Sequence, residues 1–312
     1  MDVSAFAPFL EASIRLGTPL ALAALGETIT ERSGVINIGL EGSIIAGALA
    51  AALAALSAGS PWVGLGAAAL AGTAAAAVFA AFVLLLNTDQ IITGTAVTLA
   101  GLGFTGAVYQ ARFGMTGTAL TLPTLPVVNI PLLSKIPLLG STFFAQSVTA
   151  YLAYLTAPLL WWFLWRSHWG LSLRAVGESP EAAAAAGIRV RWTRMWATLF
   201  GGALGGLAGA HLTLAHTGTF AENMSAGRGF IAIAVVVLGR WNPPLVLGAA
   251  LFFGAASALQ FFMQALGLEL PYQLFLAFPY LVTLAALGGW MGRARAPAAL
   301  ALPWPRRTGE RV

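Results

Sequence analysis

Residues 27 to 41 hold three carboxylates and an amide, Glu27, Glu31, Glu41 and Asn37, and they run directly into an apolar stretch. A charge carried into hydrocarbon is costly unless a partner or a water-filled cavity receives it, so something polar must sit opposite. Asn37 and Glu41 are four apart and share a face if one helix carries both, whereas Glu27 and Glu31 repel across a turn, relieved in part by Arg32. Gly34, Gly39 and Gly42 permit a broken helix or the close approach of another backbone. Two readings follow: the cluster lines a solute path, or it is a capped, packed helix junction near the cytoplasmic face. Gln90, Thr95, Thr98 and Phe230 fall at polar or aromatic breaks in other apolar stretches and complete the candidate path with Asn37 and Glu41.

A second constellation lies at 174 to 189. Ser179 suits an N-cap, Pro180 the first helical position and Glu181 the positive helix end; Ala182 to Ala186 propagate the helix, and Gly187 can take the left-handed closing conformation. From 180 to 186 such a helix is roughly 10 Å long, too short to be stable alone in water. A rigid stub with a smooth alanine face reads as a knob for a groove on another protein, or as an amphipathic helix lying on the membrane.

Other chemistry is missing. The histidines at 168, 211 and 216 have no His-Glu-x-x-His spacing, aspartate occurs only at 2 and 89, no Gly-x-Ser-x-Gly elbow exists, and the lone lysine, Lys135, follows no phosphate-cradling glycine loop. We therefore expect neither a catalytic nor a metal site, and no ATP hydrolysis by this chain. His211 and His216, five apart, do not share a face of an α-helix, and each reads as a hydrogen-bonded residue at a helix end. With no cysteine there is no thiolate or disulfide.

The elements that must position these groups are set by composition. Of 312 residues, 58% are apolar and only 9% charged, against about a quarter charged in a soluble domain, so lipid replaces water around most of the chain. The net charge of +5 is arginine scattered between apolar stretches, which suits membrane orientation and not nucleic acid. Apolar runs at 8–26, 38–57, 62–86, 91–111, 146–165, 195–216, 228–240, 243–266 and 273–291 predict an all-α, polytopic transmembrane bundle of about eight to ten spans. The weak members are the first, with Glu11 and Arg15 inside it, and the short 228–240. Residues 1–291 form one membrane domain and 292–312 a basic tail. Twelve of sixteen basic residues collect on one side, which makes the 166–194 loop and the tail cytoplasmic and the N-terminus external. No basic region precedes the first apolar run, so no cleaved signal is expected. The Gly201–Gly209 cluster predicts tight helix packing.

Three motifs in order, Ser33-Gly-Val-Ile-Asn-Ile-Gly-Leu-Glu-Gly42, Val176-Gly-Glu-Ser-Pro-Glu-Ala-Ala-Ala-Ala-Ala-Gly-Ile188, and Gly227-Arg-Gly-Phe-Ile-Ala-Ile-Ala234 with Gly239-Arg-Trp-Asn-Pro243, resemble permease subunits of bacterial ABC importers. The nearest group is the branched-chain amino-acid and simple-sugar permeases, within it the nucleoside (guanosine-type) and simple-sugar branch. The resemblance covers roughly 15 to 291 and leaves out the loop 112–145 and the tail. It implies that Glu178, Ser179, Pro180, Glu181, Ala182, Ala183, Gly187, Ile188 and Arg189 form the coupling loop that docks into a cytoplasmic ATPase. It also implies a plasma-membrane location, ATP and magnesium on that ATPase, a second homologous permease chain in a heterodimer, and an extracytoplasmic solute-binding lipoprotein. The solute is then a nucleoside or simple sugar, with a branched-chain amino acid as the alternative. From the residues alone, Glu11, Glu27 and Glu41 leave open an ion-coupled transporter or channel.

Overall fold

The computed structural model describes residues 3–114, 121–131, 133–136, 139–265, 281 and 295–305. The first apolar run does not stop at the carboxylates. Helix α1 spans Val3–Arg32 and carries Glu27 and Glu31 into its last turns. After a non-helical stretch, α2 covers Leu40–Ala58. Then α3 covers Pro61–Ala80, with a π-helical extension to Leu85, and α4 covers Gln90–Phe113, capped by Asp89 Oδ1 accepting from Ile91 N and Ile92 N. The loop after α4 holds a two-stranded antiparallel ribbon, β1 (Val127–Asn129) with β2 (Ala145–Ser147), pairing Val127 with Ser147. A short helix, α5 (Leu139–Phe144), leads into β2.

Helix α6 (Val148–Arg166) returns to the end where α1 finishes. There the arginine-rich loop folds into α7 (His168–Glu178) and the six-residue α8 (Pro180–Ala185). Helix α9 (Val190–Ala210) climbs back and continues as a π-helix over His211–Thr217. The eleven-residue α10 (Arg228–Leu238) precedes α11 (Pro243–Ala265), which runs antiparallel to α1, with Phe9 against Phe262 at 5.8 Å between ring centroids.

Seven helices among the described residues are long and apolar enough to cross a membrane, and α10 is a shorter apolar helix. Of the nine runs, 228–240 is thus a half-length helix and not a crossing, and 273–291, apart from residue 281, lies outside the described residues. Leu70 and Ile92 are each 73% exposed while Glu27, Glu31 and Asn37 are fully buried. An outside more apolar than the polar interior suits a hydrocarbon solvent.

Helix α9 is the central post. A Cβ placed on Gly206 would strike the carbonyl of Ala68 on α3, and one on Gly209 the carbonyl of Ile44 on α2, while Gly201 lies against Gly26 and Thr30 of α1. Three helices therefore approach α9 at backbone distance, as the small-residue cluster predicts.

Candidate functional site

The polar groups gather where α1 gives way to α2. Residues 33–39 are non-helical, so their amides need partners other than a helix ladder. Asn37 N donates to Glu27 Oε1 at 2.7 Å, and Ile36 N to Gln90 Oε1 at 2.9 Å. Thr98 Oγ1 donates to the Ile38 carbonyl at 3.2 Å, which seats the middle of α4 on the break. Glu31 accepts from Trp241 Nε1.

Glu41, in the first turn of α2, accepts from Gly227 N at 2.8 Å and from Gly229 N. These are the N-cap and second residue of α10, so the carboxylate closes the positive end of a half-length helix. Gly229 makes the approach possible, because a Cβ there would lie 2.7 Å from Glu41 Cα. The polar group expected opposite Glu41 is therefore a helix N-terminus.

Four of the candidate path residues meet here: Asn37, Glu41, Gln90 and Thr98, each under 5% exposed. Asn37 precedes α2, so it does not share a helix face with Glu41. Among the described residues its carboxamide has no hydrogen-bond partner on either atom, which leaves it the side chain at the break least committed to the fold. Thr95 and Phe230 are exposed, and Thr95 Oγ1 donates one turn back to Ile91 O; neither reaches the cluster. Arg32 does not relieve Glu27 and Glu31. Its Nε donates to the Trp241 carbonyl at 3.0 Å and its guanidinium sits 5.5 Å from the Trp165 ring centroid. Glu41 holds two backbone N–H groups and Glu27 holds one, whereas Glu27 Oε2 and Glu31 Oε1 are buried with no hydrogen-bond partner among the described residues.

The second constellation folds as its residues dictate. Ser179 Oγ accepts from Ala182 N at 3.4 Å, Gly187 takes φ +84°, and Ile188 N donates to Ala183 O at 3.0 Å to close the helix. Ala183 is buried against Val176 and Val190, while Glu181, Ala182 and Ala184 to Gly187 are exposed. The stub is thus pinned on one side and open on the other.

Two arginines tie the break to its surroundings. Arg32 connects the end of α1 to α6 and to the turn after α10. Arg194, 1% exposed, donates from Nε to the Ser33 carbonyl at 3.1 Å and from Nη1 to the Leu302 carbonyl at 2.9 Å. The last turn of α7 touches the end of α1 directly: a Cβ on Gly177 would overlap the Arg32 carbonyl. Arg194 is among the twelve basic residues that assign this side to the cytoplasm, yet it is buried, on the face of α9 away from the exposed Trp192 and Trp196.

A cavity of about 930 Å³ opens between α6, α7 and α9, lined by Leu160, Phe163, Trp169, Trp192 and Trp196. It is apolar and shares none of the residues at the break, so it offers a polar solute few partners. His211 bonds as expected, to Thr149 Oγ1 at 2.7 Å and the Arg15 carbonyl at 3.0 Å. The 211–217 segment is π-helical, however, and its i→i+5 bonding stacks residues five apart, so His211 and His216 lie on one side after all. Among the described residues no group of three or more His, Asp or Glu is arranged for a metal.

Residues 9–287 match the family described as branched-chain amino acid transport system, permease component. The chain belongs to that family. Among its relatives are a putative glucose ABC transporter permease protein of Haloferax volcanii, 37% identical over 90% of this chain and 91% of its own, and the guanosine ABC transporter permease protein NupQ of Bacillus subtilis, 37% identical over 94% and 95%. The nucleoside ABC transporter permease protein NupC of Lactococcus lactis is 34% identical over 90% and 92%. The chain is therefore a multi-pass membrane permease subunit of an ABC importer and not itself an enzyme.

Proposed function

We propose that this permease imports a nucleoside or simple sugar, with α8 as the coupling helix of a cytoplasmic ATPase that holds ATP and magnesium. The observation that carries the reading is the pinned, half-exposed α8, joined through Gly177, Arg32 and Arg194 to the break that ends on Glu41 and α10. ATP binding on the ATPase displaces α8, the α7 base and the two arginines carry the displacement to residues 33–41, and α10 shifts with Glu41. The solute path at the break then opens to the other side. Such a shift needs ATP to bind the two conformers with different affinity. Support for the solute class comes from the relatives' names and from the break, where Asn37, Gln90 and Thr98 offer amide and hydroxyl groups. An uncharged polyhydroxylated solute suits that lining better than a branched-chain zwitterion, which calls for two free counter-charges. A second homologous permease chain and an extracytoplasmic solute-binding lipoprotein complete the assembly.

The test is uptake of labelled guanosine, glucose and leucine by the full complex in proteoliposomes, together with cross-linking from A185C, a lone cysteine in this cysteine-free chain, to the ATPase. ATP-dependent uptake of guanosine or glucose, with a cross-link, is the expected result. Uptake of leucine alone, or no cross-link at α8, would overturn it.

A further inference from the structure

Residues 295–305 lie at the arginine-rich end as a strap across the elements just described. Ala299 N donates to the Gly177 carbonyl at 2.9 Å, Ala301 N to the Gly34 carbonyl at 3.2 Å, and Ala298 N to Glu178 Oε2 at 3.4 Å. The Leu302 carbonyl takes the Arg194 bond, and Ala299 is 1% exposed. Trp304 packs on the cluster of Val176, Ala183 and Val190, which is the buried side of α8. One short segment therefore touches the last turn of α7, the coupling stub, α9 and the non-helical break.

Stub geometry makes this arrangement consequential. Six residues are about one and a half turns, flanked by the hinge points Ser179 and Gly187, and a helix so short bends or tilts unless its inner side is buttressed. Ala183 alone gives little to push against; Trp304 supplies the mass behind it. The shortest route from stub to break is the backbone contact of Gly177 on Arg32. The strap adds a second route, from Trp304 through Leu302 and Arg194 to Ser33, and a third from Gly177 through Ala299 and Ala301 to Gly34. Coupling between sites needs a contiguous packed or hydrogen-bonded network with discrete arrangements, and three routes fix the register of α8 against the break where one would let it slip.

We propose that the strap, residues 297–304, is a working part of the coupling apparatus: it transmits displacement of α8 to the Glu41–α10 junction, with Trp304 and Arg194 as positioning residues. This rests on α8 being the coupling helix, and the two ideas fail separately in the experiment below.

The whole complex is used, nucleotide-free and trapped with ATP and vanadate. The A185C cross-link to the ATPase reports docking of α8. Spin labels at A96C and A226C report the position of the α10 start relative to α4. In the otherwise unaltered chain, the cross-link forms and the spin–spin distance changes on trapping. In W304A, and in a chain ended after Ala296, the cross-link and ATP hydrolysis persist within about two-fold while the distance change is lost and guanosine-dependent transport per ATP falls about ten-fold; W304F restores both. An unchanged distance shift and transport ratio in W304A and the shortened chain would overturn the proposal. So would loss of the cross-link only in those variants, which makes the strap a docking element. Absence of the cross-link in the unaltered chain overturns the coupling reading as well, and is distinguished by its occurring with the strap intact.

Discussion

Glu41 shows how one side chain decides an arrangement. Its carboxylate receives two amide N–H groups from the start of α10, and hydrogen bonds to a charged group contribute about 1.5–3 kcal/mol each. E41A leaves both donors without that acceptor, and we expect it to lower stability by about 3 kcal/mol or more. E41Q, able to offer an oxygen to only one of the two, should fall between. Thermal unfolding of the purified complex in detergent reads both, and E41A unfolding at the wild-type temperature would contradict the assignment. That Glu41 needs a polar partner was legible in the sequence, since a carboxylate entering an apolar run is costly alone. The identity of the partner was not, because α10 lies 186 residues away and its periodicity gives a face without the depth at which the helix begins. Arg194 was hidden for a similar reason: its acceptors are the carbonyls of Ser33 and Leu302, and backbone carbonyls leave no mark in a residue pattern.

Among elements, α9 sets the packing, and its glycines divide into those that matter and those that do not. G206A brings a methyl group onto the Ala68 carbonyl, with no flexible side chain to give way. Overpacking of this kind costs roughly 1–3 kcal/mol or more, and the expected result is a sharply reduced yield of folded permease by size-exclusion chromatography. G66A on α3 meets nothing within 4 Å, so it should leave the yield unchanged or add up to about 1 kcal/mol from helix propensity. Equal behaviour of the two variants would refute the backbone-contact account of α9. At the stub, G187V places a β-branched residue at φ +84°, with strain of about 1–3 kcal/mol; ATPase co-purification should drop while the membrane helices keep their thermal transition. Elements of this kind were the most legible part of the chain. The α8 cap, Pro start and Gly stop act within nine residues, so local sequence determines them. The end of α1 was misplaced because a hydropathy window stops at Glu27, whereas backbone bonding continues to Arg32, with Asn37 N and Trp241 Nε1 as partners of the two carboxylates.

For the whole molecule, the two ends differ in chemistry, and that difference supports the expected orientation in the membrane. Arg32, Arg174, Arg189, Arg194 and the strap gather around α7 and α8 at one end, whereas the β1–β2 ribbon and residues 121–125 cover the other, with Leu122 N bonded to the Gly218 carbonyl and Leu125 N to the Leu214 carbonyl. Lysine and arginine near membrane-spanning ends favour the cytoplasm, and the coupling role proposed for α8 requires it to face an ATPase that finds its nucleotide there. Both requirements select the same end, and α1 and α11 run antiparallel between the two. The chain's lack of cysteine allows a direct check by single substitutions at exposed positions. A185C and A298C should react with a membrane-impermeant maleimide only in inverted vesicles, and T124C only in intact cells or spheroplasts. If T124C and A185C react from the same face, the ribbon and the stub are not on opposite sides of the bilayer. If the two faces are simply exchanged, the arginine distribution does not orient this protein and α8 has no access to a cytoplasmic ATPase. Reaction of A298C together with A185C, and never with T124C, is the whole-molecule consequence of the Ala299–Gly177 bond.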